Sequence, residues 1–158
     1  AKLRTVTRGG DSRTASVLAG ITAAPEGTVL VAVHDGARPL VSEAVITEAV
    51  YAAAECGAAA PVVPVKDSIK RIEDGNIAAD VPRDTLAAVQ TPQVFDRTVL
   101  TRALETAARK NRSFTDDCAA VEAMGQAVRA THGSYENIKI TTPEDILVAE
   151  AFLQKEEP

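Results

Sequence analysis

The sequence predicts an α/β fold, and three observations carry that reading. Strand-like and helix-like segments alternate along the 158 residues, the pattern of a domain with a mostly parallel sheet. Val29–Val33 and Ala58–Val65 are unbroken apolar runs, which suit strands buried on both faces. Capping signals mark helices between and after them: Ser42 opens one that ends before Gly57, and Thr142-Pro143-Glu144-Asp145 opens another. The length suits a single domain over 1–158 with a sizeable core.

In chain order, Leu3–Thr7 is predicted as a short strand, Gly9-Gly10-Asp11 as a turn and Ser12–Ala23 as a helix. Val29–Val33 is predicted as a fully buried strand, closed by Pro39. The helix after Ser42 leads into the strand Ala58–Val65. The alternation then breaks. Ser68–Ile72 and Ile77–Val81 flank Glu73-Asp74-Gly75-Asn76, and Asp-Gly is a strong hairpin signal. This hairpin, within an arm of about residues 66–84, is poor in apolar residues and marginal on its own, so it should lie against something. Leu86–Gln90 is predicted as a strand leading into Thr91-Pro92-Gln93. Asp96 caps a helix to about Lys110, with Phe95 and Leu100 at its staple positions. Thr115 is expected to cap a helix whose first turn carries Asp116 and Asp117, with Gly125 ending it. Ala127–Ala130 and Asn137–Thr141 are predicted as short strands, followed by a helix to about Gln154 and a frayed tail, Lys155–Pro158.

Composition excludes several classes. Hydrophobic residues make up 46% and charged residues 25%, which is ordinary for a globular protein. Aromatics are only 3%, so the core must be built from Ala, Val, Leu and Ile. A net charge of −5 argues against nucleic-acid binding, which needs a broad basic face, but leaves room for a small anion met by a few local cations. Cys56 and Cys118 lack metal-ligand spacing and read as small apolar residues of a reduced, cytoplasmic protein. No apolar run reaches the length of a membrane span, and the N-terminus has no signal-peptide pattern.

The most chemically loaded segment is Val29–Pro39, where an apolar run ends in His34-Asp35-Gly36-Ala37-Arg38. Ligands of open α/β sheets bind beyond the carboxyl ends of the strands. A carboxylate there can hold Mg²⁺ together with substrate phosphates, and a guanidinium three residues on can grip a phosphate. Taken alone, the segment reads more simply as a strand ending in a polar turn, with Asp35 capping it and Arg38 solvated. No Gly-rich phosphate loop precedes it, since Gly9-Gly10 is too short to cradle a triphosphate, and the chain opens inside a predicted strand. The expectation is therefore an N-terminally incomplete domain.

Five segments in one order extend the reading. They are His34–Pro39, Pro64–Lys70, Gln90–Gln93 with Phe95, Phe114–Asp117, and Gly133–Asp145. Together they resemble the 2-C-methyl-D-erythritol 4-phosphate cytidylyltransferase family of the non-mevalonate isoprenoid pathway, over essentially the whole chain from Gly9 onward. Each motif is weak alone, and five in register are specific. The resemblance implies a Rossmann-like nucleotidyltransferase sheet with helices on both faces and a protruding β-hairpin arm. It also implies Mg²⁺-dependent transfer of CMP from CTP to the sugar phosphate, in a cytoplasmic homodimer joined through the arm.

By the same resemblance, Asp35 matches the acid that meets metal and nucleotide. Arg38 matches a cation at the sugar-phosphate site, and Lys139 a catalytic cation beside it. Gly10, Asp11 and Ser16 match positions around the cytosine, and Arg13 among them is read as shaping that loop. Ser68 and Arg83 match substrate-binding positions on the arm, with Thr91 near the same site. Position 68 is commonly Thr in the family, and Gly36 replaces a usual Ala. The family's Gly-rich triphosphate segment is absent here, which implies poor CTP binding by this chain alone. Two other readings stay open: a ribitol-5-phosphate cytidylyltransferase, and a non-catalytic dimerisation fragment. His34, His132, Lys66 and Lys70 are read as structural or solvated, and Asp116 and Asp117 as helix-capping acids.

Overall fold

A computed structural model describes residues 2–154. The elements follow in the order α1 (Arg13–Ala23), β1 (Leu30–Val33), α2 (Glu43–Cys56), β2 (Ala58–Pro64), β3 (Ile69–Glu73), β4 (Asn76–Val81), β5 (Ala87–Val89), β6 (Gln93–Asp96), α3 (Arg97–Arg109), α4 (Asp117–Glu122), β7 (Arg129–His132) and α5 (Pro143–Gln154), with one 3₁₀ turn at Arg83–Thr85. The caps form where the sequence signals them. Ser42 accepts from the Val45 N–H, Asp96 from Thr98 and Val99, and Gly57 closes α2 at φ 84°. That left-handed backbone is one glycine adopts without steric cost.

The main sheet is mixed, which corrects the mostly parallel expectation. β2 and β7 pair in parallel, but β5 and β6 run antiparallel to β2, and β6 antiparallel to β1. β1, β2 and β7 therefore share one direction, and the β5–β6 segment is inserted between the first two. Alternating strand and helix signals cannot reveal an insertion of this kind, because it arrives through the arm rather than through a helix. β6, Gln93–Asp96, forms a strand where the sequence predicts none.

Helices cover both faces of the sheet, as expected. Side chains on successive strand residues point to opposite faces, and the core divides accordingly. Ala58, Ala60 and Phe95 pack with Ile21, Leu100, Leu104 and Val121 from α1, α3 and α4. Ala59 and Val94 pack with Ala49, Ala52 and Ala53 of α2. Alanine against alanine lets α2 lie close on β2, which is how a chain with so few aromatics closes its core. Phe95 is the one aromatic among the largest fully buried side chains.

Five local expectations are corrected. Leu3–Thr7 forms no strand and is exposed. Val29 is 68% exposed and β1 is only half-buried, so the run Val29–Val33 is not a fully buried strand. Asn137–Thr141 is irregular, because its polar groups bond to side chains and turns rather than to a ladder. Asp116, not Thr115, caps α4, accepting from the Ala119 N–H at 2.9 Å. The last strand lies at Arg129–His132, two residues beyond its predicted place. The predicted frayed tail, 155–158, lies outside the described residues.

The hairpin forms as predicted, and β3 and β4 make a separate two-stranded sheet. Asp74 and Gly75 both have positive φ, 49° and 79°, the backbone of a tight turn whose twist matches its strands. Lys66 at its base lies over the Tyr135 ring at 3.5 Å, and the Tyr135 hydroxyl donates to the Pro64 carbonyl. The arm is thus tied to the loop that precedes Lys139.

Gln93 joins the sheet to α4. It is 1% exposed, and its Oε1 accepts from the Asp117 and Cys118 N–H groups at 3.0 and 3.3 Å. Its Nε2 donates to Asp116 Oδ2 at 2.9 Å. Replacing it with Leu strands two buried donors, at about 1–3 kcal/mol for each unsatisfied group. Gln93→Leu should lower the urea midpoint by that order without altering the slope. An unchanged midpoint would show that α4 is capped another way.

Candidate active site at the end of the first strand

The carboxyl end of β1 turns sharply. The Arg38 N–H bonds back to the Asp35 carbonyl at 2.9 Å. That turn brings the Arg38 side chain over Asp35, with Nε 3.6 Å from Oδ2. From the far end of the chain, Lys139 Nζ reaches the same oxygen at 3.0 Å. Both cations meet Asp35 at Oδ2. Burial pushes the Asp35 carboxyl up, but the hydrogen bond and charge of Lys139, with Arg38 and Arg13 behind it, outweigh that effect and hold it below its usual range.

Two residues fix the backbone of this turn. Thr91 Oγ1 accepts the Asp35 N–H at 3.0 Å and contacts His34 Nδ1 at 2.9 Å. His34 Nε2 meets the Arg38 carbonyl at 3.1 Å. A carbonyl only accepts, so Nε2 carries the proton; Nδ1 then accepts from the Thr91 hydroxyl. Every group in this chain of contacts has one consistent role. Both ring nitrogens of His34 are thus engaged in holding this turn.

Asp35 and His34 also line a cavity of about 560 Å³ between β1 and α1, together with Arg13, Ser16, Val31 and Val33. Ser16 Oγ accepts the Gly10 N–H at 3.2 Å, and a Cβ at Gly10 would stand 2.5 Å from the Ala15 Cβ. The Gly10–Ser16 turn is therefore closed tightly enough to require glycine at position 10. Arg13 is committed elsewhere. Its two terminal nitrogens each meet a carboxylate oxygen of the fully buried Asp117 at 2.6 Å. The hydrogen bond to Asp117 raises the Arg13 pKa against the cost of burial. Asp117 is thus an ion-pair partner and not a capping acid.

Of the sequence-predicted site residues, the structure gathers Asp35, Arg38, Thr91 and Lys139. Ser16 joins them through the shared cavity, with Gly10 bonded to Ser16. Asp11 is exposed in the turn before α1. Ser68 and Arg83 are on the arm, both exposed, and Arg83 Nη1 donates to the Lys66 carbonyl at 2.7 Å. Among the described residues no ion pair or hydrogen bond joins those two to Asp35. His132 is exposed and bonded to Glu48, and Lys70 pairs with Asp80 across the hairpin. Sequence reasoning missed Gln90 and Asn137. Asn137 is fully buried, and its main-chain carbonyl takes Arg38 Nη1 at 2.6 Å. A polar residue between Glu136 and Ile138 carries no sequence signal of burial.

The model of the 2-C-methyl-D-erythritol 4-phosphate cytidylyltransferase (IspD) family matches residues 2–155. The chain is 50% identical over 155 residues to that enzyme of Desulforamulus reducens, covering 98% of this chain and 66% of the relative. It is 50% identical over 149 residues to that of Bacillus licheniformis, covering 94% and 64%. Among solved structures, the Thermus thermophilus enzyme aligns with a TM-score of 0.86 at 39% identity, over 94% of this chain and 72% of that one. The chain spans about two thirds of the length of the curated relatives it matches.

The Asp35 titration tests the site's electrostatics. A carboxylate with a lowered folded pKa adds stability above its unfolded pKa, and that stability is lost as pH falls through the folded value. In Lys139→Met burial remains and the strongest opposing cation is gone. The Asp35 midpoint in a ¹³C-detected titration should rise, and the acid limb of stability should move to higher pH. A midpoint that stays put would contradict the ion pair. The matched sequence and the shared architecture agree, and the chain belongs to the 2-C-methyl-D-erythritol 4-phosphate cytidylyltransferase family.

Proposed function

We propose that the full-length protein transfers CMP from CTP to 2-C-methyl-D-erythritol 4-phosphate and releases pyrophosphate. The observation that carries this reading is the convergence of Asp35, Arg38 and Lys139 at one strand end in a chain of this family. A phosphate oxygen of the sugar phosphate attacks the α-phosphorus of CTP. The new P–O bond forms as the bond to pyrophosphate breaks, in line. Such a displacement needs positioning and charge neutralisation more than covalent help.

Arg38 and Lys139 are the cations suited to the anionic reactants, Arg38 at the sugar phosphate and Lys139 at the reacting phosphates. Gly10, Asp11 and Ser16 line the cytosine side. Thr91 holds the Asp35 backbone and borders the sugar-phosphate site. Asp35 is the residue that would hold Mg²⁺. No cluster of three or more acidic, His or Cys side chains among the described residues could cage a metal. That donor set suits an ion bound by one carboxylate with substrate phosphates and water. When bound, the ion neutralises polyphosphate charge.

The arm supplies Ser68 and Arg83 to the site of a second copy. Ile72 and Ile77 face each other across the hairpin and are 58% and 70% exposed, an apolar pair that a partner subunit would cover. Cys56 and Cys118 are free thiols, in keeping with a cytoplasmic enzyme. Among the described residues no helix is long and apolar enough to cross a membrane.

In the full-length protein, Asp35→Asn should abolish Mg²⁺-dependent pyrophosphate release with an unchanged circular dichroism spectrum. Undiminished turnover at saturating Mg²⁺ would remove the metal role. Arg83→Ala should weaken use of the sugar phosphate far more than of CTP. Co-expressed Asp35→Asn and Arg83→Ala subunits should regain activity, because a C₂ hybrid holds one intact composite site. Hybrid dimers verified by mass that stay inactive would count against the shared site.

A further inference from the structure

Asparagine is seldom fully buried, and a buried polar side chain needs hydrogen-bond partners. Asn137 is 0% exposed and Gln90 is 6% exposed. Asn137 Nδ2 donates to the Thr91 carbonyl at 2.9 Å and to Gln90 Oε1 at 3.3 Å. Because the Thr91 carbonyl can only accept, the amide is forced into this orientation, leaving its own Oδ1 unpartnered. Gln90 answers with Nε2, which donates to the Ser134 carbonyl at 2.8 Å and the Asn137 carbonyl at 3.3 Å. Its Oε1 accepts the Ser134 N–H at 3.2 Å. A Cβ on Gly133 would stand 2.6 Å from that oxygen, so the loop is held hard against Gln90.

Arg38 hangs on this pair of amides, and Lys139 lies just beyond them in the same loop. The Asn137 carbonyl is the acceptor for Arg38 Nη1, and it is fixed by Gln90. Lys139 is two residues further on, and the next residue, Ile140, donates its N–H to the Ala37 carbonyl at 2.8 Å. The loop is thus stitched to the turn of Asp35 on both sides of Lys139. Neither amide touches Asp35 or faces the open cavity beside β1.

We propose that Asn137 and Gln90 are positioning residues that set Arg38, and with it the sugar-phosphate subsite, by locking the 133–138 loop to the break in the inserted strand. This rests on the function proposed above. Misplacement of a binding group by about an ångström can cost on the order of 100-fold in rate.

The test uses the full-length protein and the variants Asn137→Ala and Gln90→Met. Without any substrate, ¹⁵N spectra of the Arg38 guanidinium should resolve its two terminal nitrogens in the parent and average them in the variants. In steady-state kinetics, KM for 2-C-methyl-D-erythritol 4-phosphate should rise about 10- to 100-fold with a much smaller change for CTP. In an Arg38→Ala background, Asn137→Ala should add little, since residues acting through one another are not additive. Full additivity in a folded variant, or Arg38 signals identical to the parent, overturns the proposal. Should Asn137→Ala fail to fold, Gln90→Met decides it, and failure of both to fold also overturns it. A parent protein without cytidylyl transfer would sink the proposed function, while the Arg38 spectra would still decide the positioning role.

Discussion

The strand inserted between β1 and β2 cannot stay regular along its whole length. It pairs with the far end of β2 through β5, and with the near end of β2 and all of β1 through β6. The two registers are separated at Gln90, Thr91 and Pro92. A regular strand sends alternate residues to opposite faces. At this break the pleat is interrupted, and Gln90 through Phe95 are all buried. Three of those residues are polar, and each ties down a different segment. Gln90 holds the 133–137 loop, Thr91 holds the Asp35 backbone, and Gln93 holds the start of α4. The candidate site is what these ties leave between them.

This division of labour fits the composition. Alanine-rich layers pack closely but bury little apolar area per residue, so their packing alone specifies geometry weakly. Directional polar contacts in a dry interior specify it strongly, because an unmade contact is costly there. The Arg13–Asp117 pair works in the same way. It joins α1 to the start of α4, and removing either partner would strand the other. The floor of the cavity beside β1 is thus set by α1, whose own placement depends on a helix from the opposite end of the sequence.

Local chemistry was readable in advance, and non-local pairing was not. Ser42, Gly57, Asp96 and Asp74-Gly75 act within a few residues of themselves, so their caps and turn fall where the sequence places them. Asp35 and Arg38 were legible for the same reason, since they share one turn. Direction in the sheet depends on residues far apart, and nothing in Gln93–Asp96 announces that it runs against both neighbours. Asn137 was missed because its burial comes from Gln90, nearly fifty residues away, rather than from its own apolar context. Asp117 was assigned to the helix dipole because its partner, Arg13, lies at the other end of the chain. Lys139 was reached through family resemblance alone.

The resting charge arrangement bears on how such a site would meet its ligands. Asp35 lies between two cations that outweigh its desolvation, so negative and positive charge are matched at the end of β1. On the proposed function, an incoming phosphate would compete with Asp35 for Lys139 and Arg38, and a guanidinium would offer it a planar, bidentate grip that an ammonium cannot. Arg38 need not leave its place to make that grip. Its Nη1 is held by the Asn137 carbonyl, and its Nε sits at the longer distance from Asp35, so the weaker carboxylate contact is the one exchanged. On the proposed function, a phosphate drawn to Lys139 would take the carboxylate's closest counter-charge, and Asp35 would then be placed to hold a divalent ion. On the proposed function, the ion pairs keep Asp35 ionised and hold the cations where anions would meet them, so the charges would need little reorganisation.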